Sequence, residues 1–472
     1  MNSTRYLLPT EPWKNDLLRV LLIVYPFSFA LDFKGPGGGS LEQIVMAVSS
    51  VAVFLAILIT GSLRATRGIK LVICSSFFFS VLGCLSAIYY SVPADQMVRL
   101  VFPYWLFITG VWAGTVAANS LELAWGLFRA MVSAGVISLF FRYYYATEVS
   151  GLEMDEMRYQ VLSPAICSLI AYVCATFCFM RKLNLAAMFI AGATIVIISL
   201  SVTRSFLITF GFTVVGVSLL ITRLNWGNPG HKIYFRWRKI GLIIVCCGTV
   251  IGFAAAYKIR PDVFDVWASR LYSDRVNTSS GDDVNLISRV AEAKGIWEEV
   301  SETPLKIFFG KGFGNTYHWS DSYMADVRSV SEEIVTTFFA PTWNAAHSPF
   351  TYALFFGGIP AMLWQVWIFA APLWHGWQRL RWLRTIADSR FLQLFTFNLL
   401  SLFLFLSQSL TSNPFGERLS AQYLGLSIGL LLAAEKTSRS LGSGHLNPSQ
   451  DLQVDGSFHH RPQYPVRPPS KS

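Results

Sequence analysis

Apolar runs of about 17 to 25 residues, the length at which a helix crosses the hydrocarbon core of a bilayer, recur from the first tens of residues almost to the end of the chain. A spanning segment must satisfy its own backbone groups, so these runs read as helices. They fall at 16–33, 41–61, 69–92, 100–118, 121–141, 161–180, 185–203, 205–222, 240–257, 348–372, 391–410 and 419–434. The pattern predicts an all-α integral membrane protein of about 12 transmembrane helices. One long polar interval, 258–347, breaks the rhythm between the ninth and tenth runs and predicts a large, partly helical loop. The chain thus divides into a short N-terminal segment (1–15), nine spans (16–257), the loop (258–347), three spans (348–434) and a tail (435–472). The tail is rich in Ser, Pro, Gly and His and reads as disordered. The first run lacks a small-residue cleavage pattern and reads as a retained helix.

Composition agrees: 53% of residues are hydrophobic and only 14% charged, too few charges for the surface of a soluble protein of this size. Basic residues follow the even-numbered runs, at Arg64, Arg67 and Lys70, at Arg181 and Lys182, in the stretch His231 to Lys239, and from Arg379 to Arg390. Short cytoplasmic loops are enriched in Lys and Arg, so both termini are expected in the cytoplasm and the long loop on the outer face. The net charge of +10 is therefore mainly a topology signal, with some attraction to anionic membrane lipids, and calls for no nucleic-acid partner. All seven cysteines (Cys74, Cys84, Cys167, Cys174, Cys178, Cys246, Cys247) lie in apolar runs, which argues against a disulfide or metal framework.

Candidate chemistry gathers on the outer side. Between the seventh and eighth runs stands a lone charge, Arg204, flanked by Thr203 and Ser205. A charge at membrane depth is costly and marks a site, and a guanidinium suits phosphate oxygens; a snorkelling interfacial arginine is the plainer alternative. In the loop, a helical pattern begins near Ser288 and Arg289 and is closed by Pro304. Arg289, Ala293 and Trp297 are spaced by four and share one face, a cation followed by an aromatic surface. That face suits a diphosphate and a sugar, or equally the packing of an amphipathic helix on the membrane domain. Arg270 and Arg275, earlier in the loop, and Gly312, in the glycine turn Gly310 to Gly314, join Trp297 as candidate substrate contacts. His347 stands immediately before the tenth span, in the company of Arg204 and Arg289 on the same side.

This order of motifs resembles the bacterial O-antigen ligase and polymerase superfamily over roughly residues 185–375. The likeness lies in a Thr/Ser-Arg-Ser turn between two spans, an Arg-headed loop helix ending in Pro-Leu, a Gly-x-Gly turn, and a His opening a span that runs into Gly-Gly-Ile. The resemblance implies an integral glycosyltransferase of the inner membrane, acting at its periplasmic face on an undecaprenyl-diphosphate-linked glycan donor. It implies inversion at the anomeric carbon without metal or other cofactor, and matches Arg204, Arg289 and His347 to the catalytic residues. The acceptor would be a second glycan for a polymerase, or lipid A core or protein for a ligase. Ala293 in place of Trp, Ser348 in place of Asn and a longer interval from Pro304 to Gly310 depart from the usual pattern, leaving polymerase and ligase both open, with the former favoured. A polytopic transporter is the reading from another class; the short junction after the sixth span and the asymmetric loop weigh against its repeated halves.

Overall fold

The structure, a computed structural model, describes residues 12–32, 48–55, 58, 66–151, 161, 163–179, 184–201, 204–225, 250–251, 254–258, 261–272, 284–320, 342–383, 388–435 and 437, with backbone alone at 12, 179, 204–208, 224–225, 263, 269–272, 284–287 and 381–383. Among these residues it is helical, apart from turns, loops and one isolated antiparallel bridge between Tyr317 and Trp343. The helices are α1 (Pro12–Val24), α2 (Arg67–Tyr89), α3 (Ala94–Ala117), α4 (Leu121–Tyr144), α5 (Ile166–Phe179), α6 (Leu185–Leu200), α7 (Arg204–Asn225), α8 (Val263–Tyr272), α9 (Val284–Ser301), α10 (Pro304–Phe309), α11 (Pro349–Leu383), α12 (Ser389–Gln408) and α13 (Arg418–Leu432).

Five segments are long and apolar enough to cross a membrane: Arg67–Tyr89, Ala94–Ala117, Leu121–Val149, Pro349–Leu380 and Ser389–Gln408. They match the expected spans at 69–92, 100–118, 121–141, 348–372 and 391–410. The expected spans at 16–33, 161–180, 185–203, 205–222 and 419–434 fall on α1, α5, α6, α7 and α13. Those at 41–61 and 240–257 lie mostly outside the described residues.

Helix ends follow local chemistry. Ser120 accepts from the Leu123 N–H at 3.1 Å to open α4, Asn184 caps α6, and Asp388 takes the N–H groups of Arg390 and Phe391 to open α12, each satisfying donors that a helix leaves unpaired. On α2, Leu71, Phe78, Leu85 and Ile88 form an exposed apolar stripe, as expected of a face turned to lipid. α12 is buried nearly all round, and two of its polar side chains tie it to neighbouring helices: Gln393 donates to Thr176 of α5 at 2.7 Å and Gln408 accepts from Thr209 of α7 at 3.0 Å.

The tightest contact joins α3 and α13. Each carries two glycines four apart, Gly110 with Gly114 and Gly425 with Gly429, and the pairs face one another. A Cβ on Gly425 would lie 2.3 Å from the Phe107 carbonyl oxygen, and one on Gly429 2.3 Å from that of Val111. Only backbone fits here, the small-residue packing by which helices associate where no water drives them together.

Candidate functional site

The loop helices are fixed to the bundle by backbone geometry that begins in α11. Gly358 breaks that helix, with φ 70° and ψ −168°, and Pro360 lacks an N–H, so the carbonyls of Phe355 and Phe356 are left without their usual helical donors. The glycine turn after α10 supplies them: Lys311 N–H donates to Phe355 O at 2.7 Å and Gly312 N–H to Phe356 O at 3.1 Å. Gly310, Gly312 and Gly314 all have positive φ, and a Cβ on Gly312 would sit 2.1 Å from the Ala87 amide nitrogen of α2. The turn is thus wedged between α2 and α11, with Phe313 stacked on Phe356 at 4.2 Å between ring centroids.

From this joint the chain runs through Tyr317 and Trp319 beside α9. Gly295 lets the helix approach, since a Cβ there would fall 2.0 Å from the His318 carbonyl oxygen, and Ser320 N–H donates to Ala291 O at 3.0 Å. The Tyr317–Trp343 bridge then brings in the short stretch that leads to His347.

At the centre is Glu292, one turn after Arg289 on α9 and almost wholly buried. Its Oε1 accepts from the Tyr317 hydroxyl at 2.8 Å and from the backbone N–H of His347 at 2.9 Å. Its Oε2 lies 3.1 Å from His347 Nδ1 and 3.7 Å from a guanidinium nitrogen of Arg289. Burial alone would raise the Glu292 carboxyl; hydrogen bonding from the His347 ring, its charge, its N–H and the Tyr317 hydroxyl bring the group below the ordinary carboxylate range. Burial, and then the Glu292 charge, push the Tyr317 phenol far above its usual value. Trp319 and Trp343 stack at 5.1 Å and 9° between planes, and the pair lies to one side of the His347 ring, at 6.4 and 5.9 Å. The imidazole is partly exposed, and among the described residues nothing is hydrogen-bonded to its Nε2. The arrangement provides a carboxylate-backed imidazole, an adjacent guanidinium and an aromatic wall.

Of the residues expected from sequence, Arg289 and His347 meet across Glu292. Trp297, two turns beyond Arg289, is about half exposed, and the aromatic surface beside His347 is supplied by Trp319 and Trp343 instead. Gly312 is buried in the joint with its N–H already donated, so close approach of backbones accounts for glycine there. Arg204 opens α7 instead of occupying the turn before it; its side chain and that of Arg270, and the whole of Arg275, lie outside the described residues. The end of α12 and the turn after it reach α7 and the stretch before His347: Gln408 accepts from Thr209, and Asn413 donates from Nδ2 to Ala346 O at 3.3 Å, beside His347. Glu292 escaped sequence reading, although an acid three residues after Arg289 is on a neighbouring face; nothing local separates it from Glu298, Glu299 and Glu302.

Those three glutamates, with His318, Trp319 and Ser320, line an adjoining cleft of about 340 Å³. Lysines balance them, Lys311 on Glu299 at 2.6 Å, Lys306 on Glu302 and Lys294 on Glu298 at 3.8 Å. Among the described residues no group of three or more His, Cys, Asp or Glu side chains is placed to hold a metal ion. Scanned against family models and against curated protein sequences, the chain matches none.

Proposed function

We propose that this membrane protein is a glycosyltransferase that takes its donor glycan from a polyprenyl diphosphate on the outer side of a bacterial inner membrane, as a polysaccharide polymerase in preference to an O-antigen ligase. The observation that carries this reading is the meeting of Arg289 and His347 across buried Glu292, in a multi-pass helical protein where the sequence resemblance gives both residues a catalytic part. The acceptor hydroxyl passes its proton to His347 Nε2 as its oxygen bonds to the anomeric carbon. The bond from that carbon to the diphosphate oxygen breaks and its electron pair leaves with the diphosphate. Arg289, and Arg204 from the membrane-embedded half, meet the charge growing on that leaving group, an interaction strongest in the transition state. Histidine is the side chain that most often carries such a proton transfer.

The test is surface glycan in cells carrying Arg289→Ala or His347→Ala, each shown to be inserted at wild-type level. Loss of glycan is expected from both, and wild-type output from either refutes the mechanism. Lipid analysis of a deletion strain separates the two activities. Single units still attached but no long chains mark a polymerase, whereas long chains stranded on the carrier mark a ligase.

A further inference from the structure

We infer that Glu292 is a positioning residue that fixes the tautomer of His347, holding the proton on Nδ1 and leaving the Nε2 lone pair for the acceptor hydroxyl; this rests on the glycosyl-transfer reading above. The carboxylate has two distinct seats. Oε1 is taken by two donors, the His347 backbone N–H and the Tyr317 hydroxyl, while Oε2 faces Nδ1. An ionised carboxylate only accepts, so Nδ1 must carry the hydrogen for that contact to be a bond. The Tyr317 hydroxyl also lies 3.2 Å from the Ala345 carbonyl, and the stacked Trp319 and Trp343 rings wall one side of the imidazole.

The same geometry says what an amide would do. In Glu292→Gln the backbone N–H of His347, which can only donate, draws the amide oxygen into the Oε1 seat. The NH₂ group then faces Nδ1 and donates to it, which forces the hydrogen onto Nε2 and removes the base. A triad whose orienting carboxylate becomes an amide loses turnover by this route, with its geometry intact.

The experiment is nitrogen-15 NMR of the full-length protein labelled at histidine. The chain has seven histidines, and a His347→Asn sample identifies the resonance. In the neutral imidazole of the wild type a protonated Nδ1 and a bare Nε2 are expected, and in Glu292→Gln the reverse, with surface glycan falling by about a hundredfold or more at unchanged membrane level. A wild-type ring protonated at Nε2 overturns the inference without any variant, and so does a reversed tautomer in Glu292→Gln with full glycan output. If the tautomer is as expected but His347→Ala retains full output, the glycosyl-transfer reading fails on its own evidence.

Discussion

Two oxygens of Glu292 gather the Tyr317 hydroxyl, the His347 N–H and the His347 ring, with Arg289 close by. A buried carboxylate so served is ionised at a cost that its hydrogen bonds more than offset. Its folded-state pKa lies below the ordinary value of 4.5, so its contribution to stability is fully present above that value and is lost as pH falls through the lower folded one. The unfolding temperature in detergent should therefore drop on acidification below about pH 4.5, and Glu292→Gln should flatten that part of the profile. An unchanged acid slope in the variant would show that other carboxylates set it. Arg289 and His347 could be singled out from sequence because an arginine in an amphipathic helical pattern and a histidine at a span boundary are visible one at a time, although α9 begins at Val284, five residues before Arg289. Glu292, Trp319 and Trp343 could not, since each acquires its meaning from a neighbour about 25 to 55 residues away.

Among elements, the α3–α13 contact and the glycine turn show one physical idea at two places, backbone meeting backbone where a side chain has no room. Gly429→Val places a branched side chain against the Val111 carbonyl and should destabilise by about 1–3 kcal/mol, as overpacking typically does, with loss of folded protein in detergent. Gly192→Ala in α6 is the control, because a Cβ there meets nothing within 4 Å, and alanine is the better helix former. Equal unfolding temperatures for the two variants would refute the close-packed seam. The spacing of the glycines can be read from the chain, but their partnership cannot, because either pair could equally have faced lipid.

At the scale of the molecule, the start of α13 is joined by charge to segments from the first third of the chain. Arg142 of α4 pairs with Glu417 at the start of α13, and Ser163 and Ser420 both donate to Glu417, while Arg418 next to it reaches Asp32 at 3.0 Å. Breaking such a buried pair from one side leaves an uncompensated charge and costs about 3–5 kcal/mol, whereas replacing both partners with apolar groups is often near neutral. Arg142→Met and Glu417→Leu should each lower the unfolding temperature strongly, and the double variant should recover most of the loss. A double variant as unstable as the singles would mean the pair is not the link. Length and hydrophobicity act locally, so the sequence by itself determined a helical membrane protein, the position of its long spans and the polar interval that interrupts them. Which glycines touch, which acid backs His347 and which turn completes the broken α11 depend on backbones brought within a few ångströms of each other across the fold, and only tertiary packing decides that.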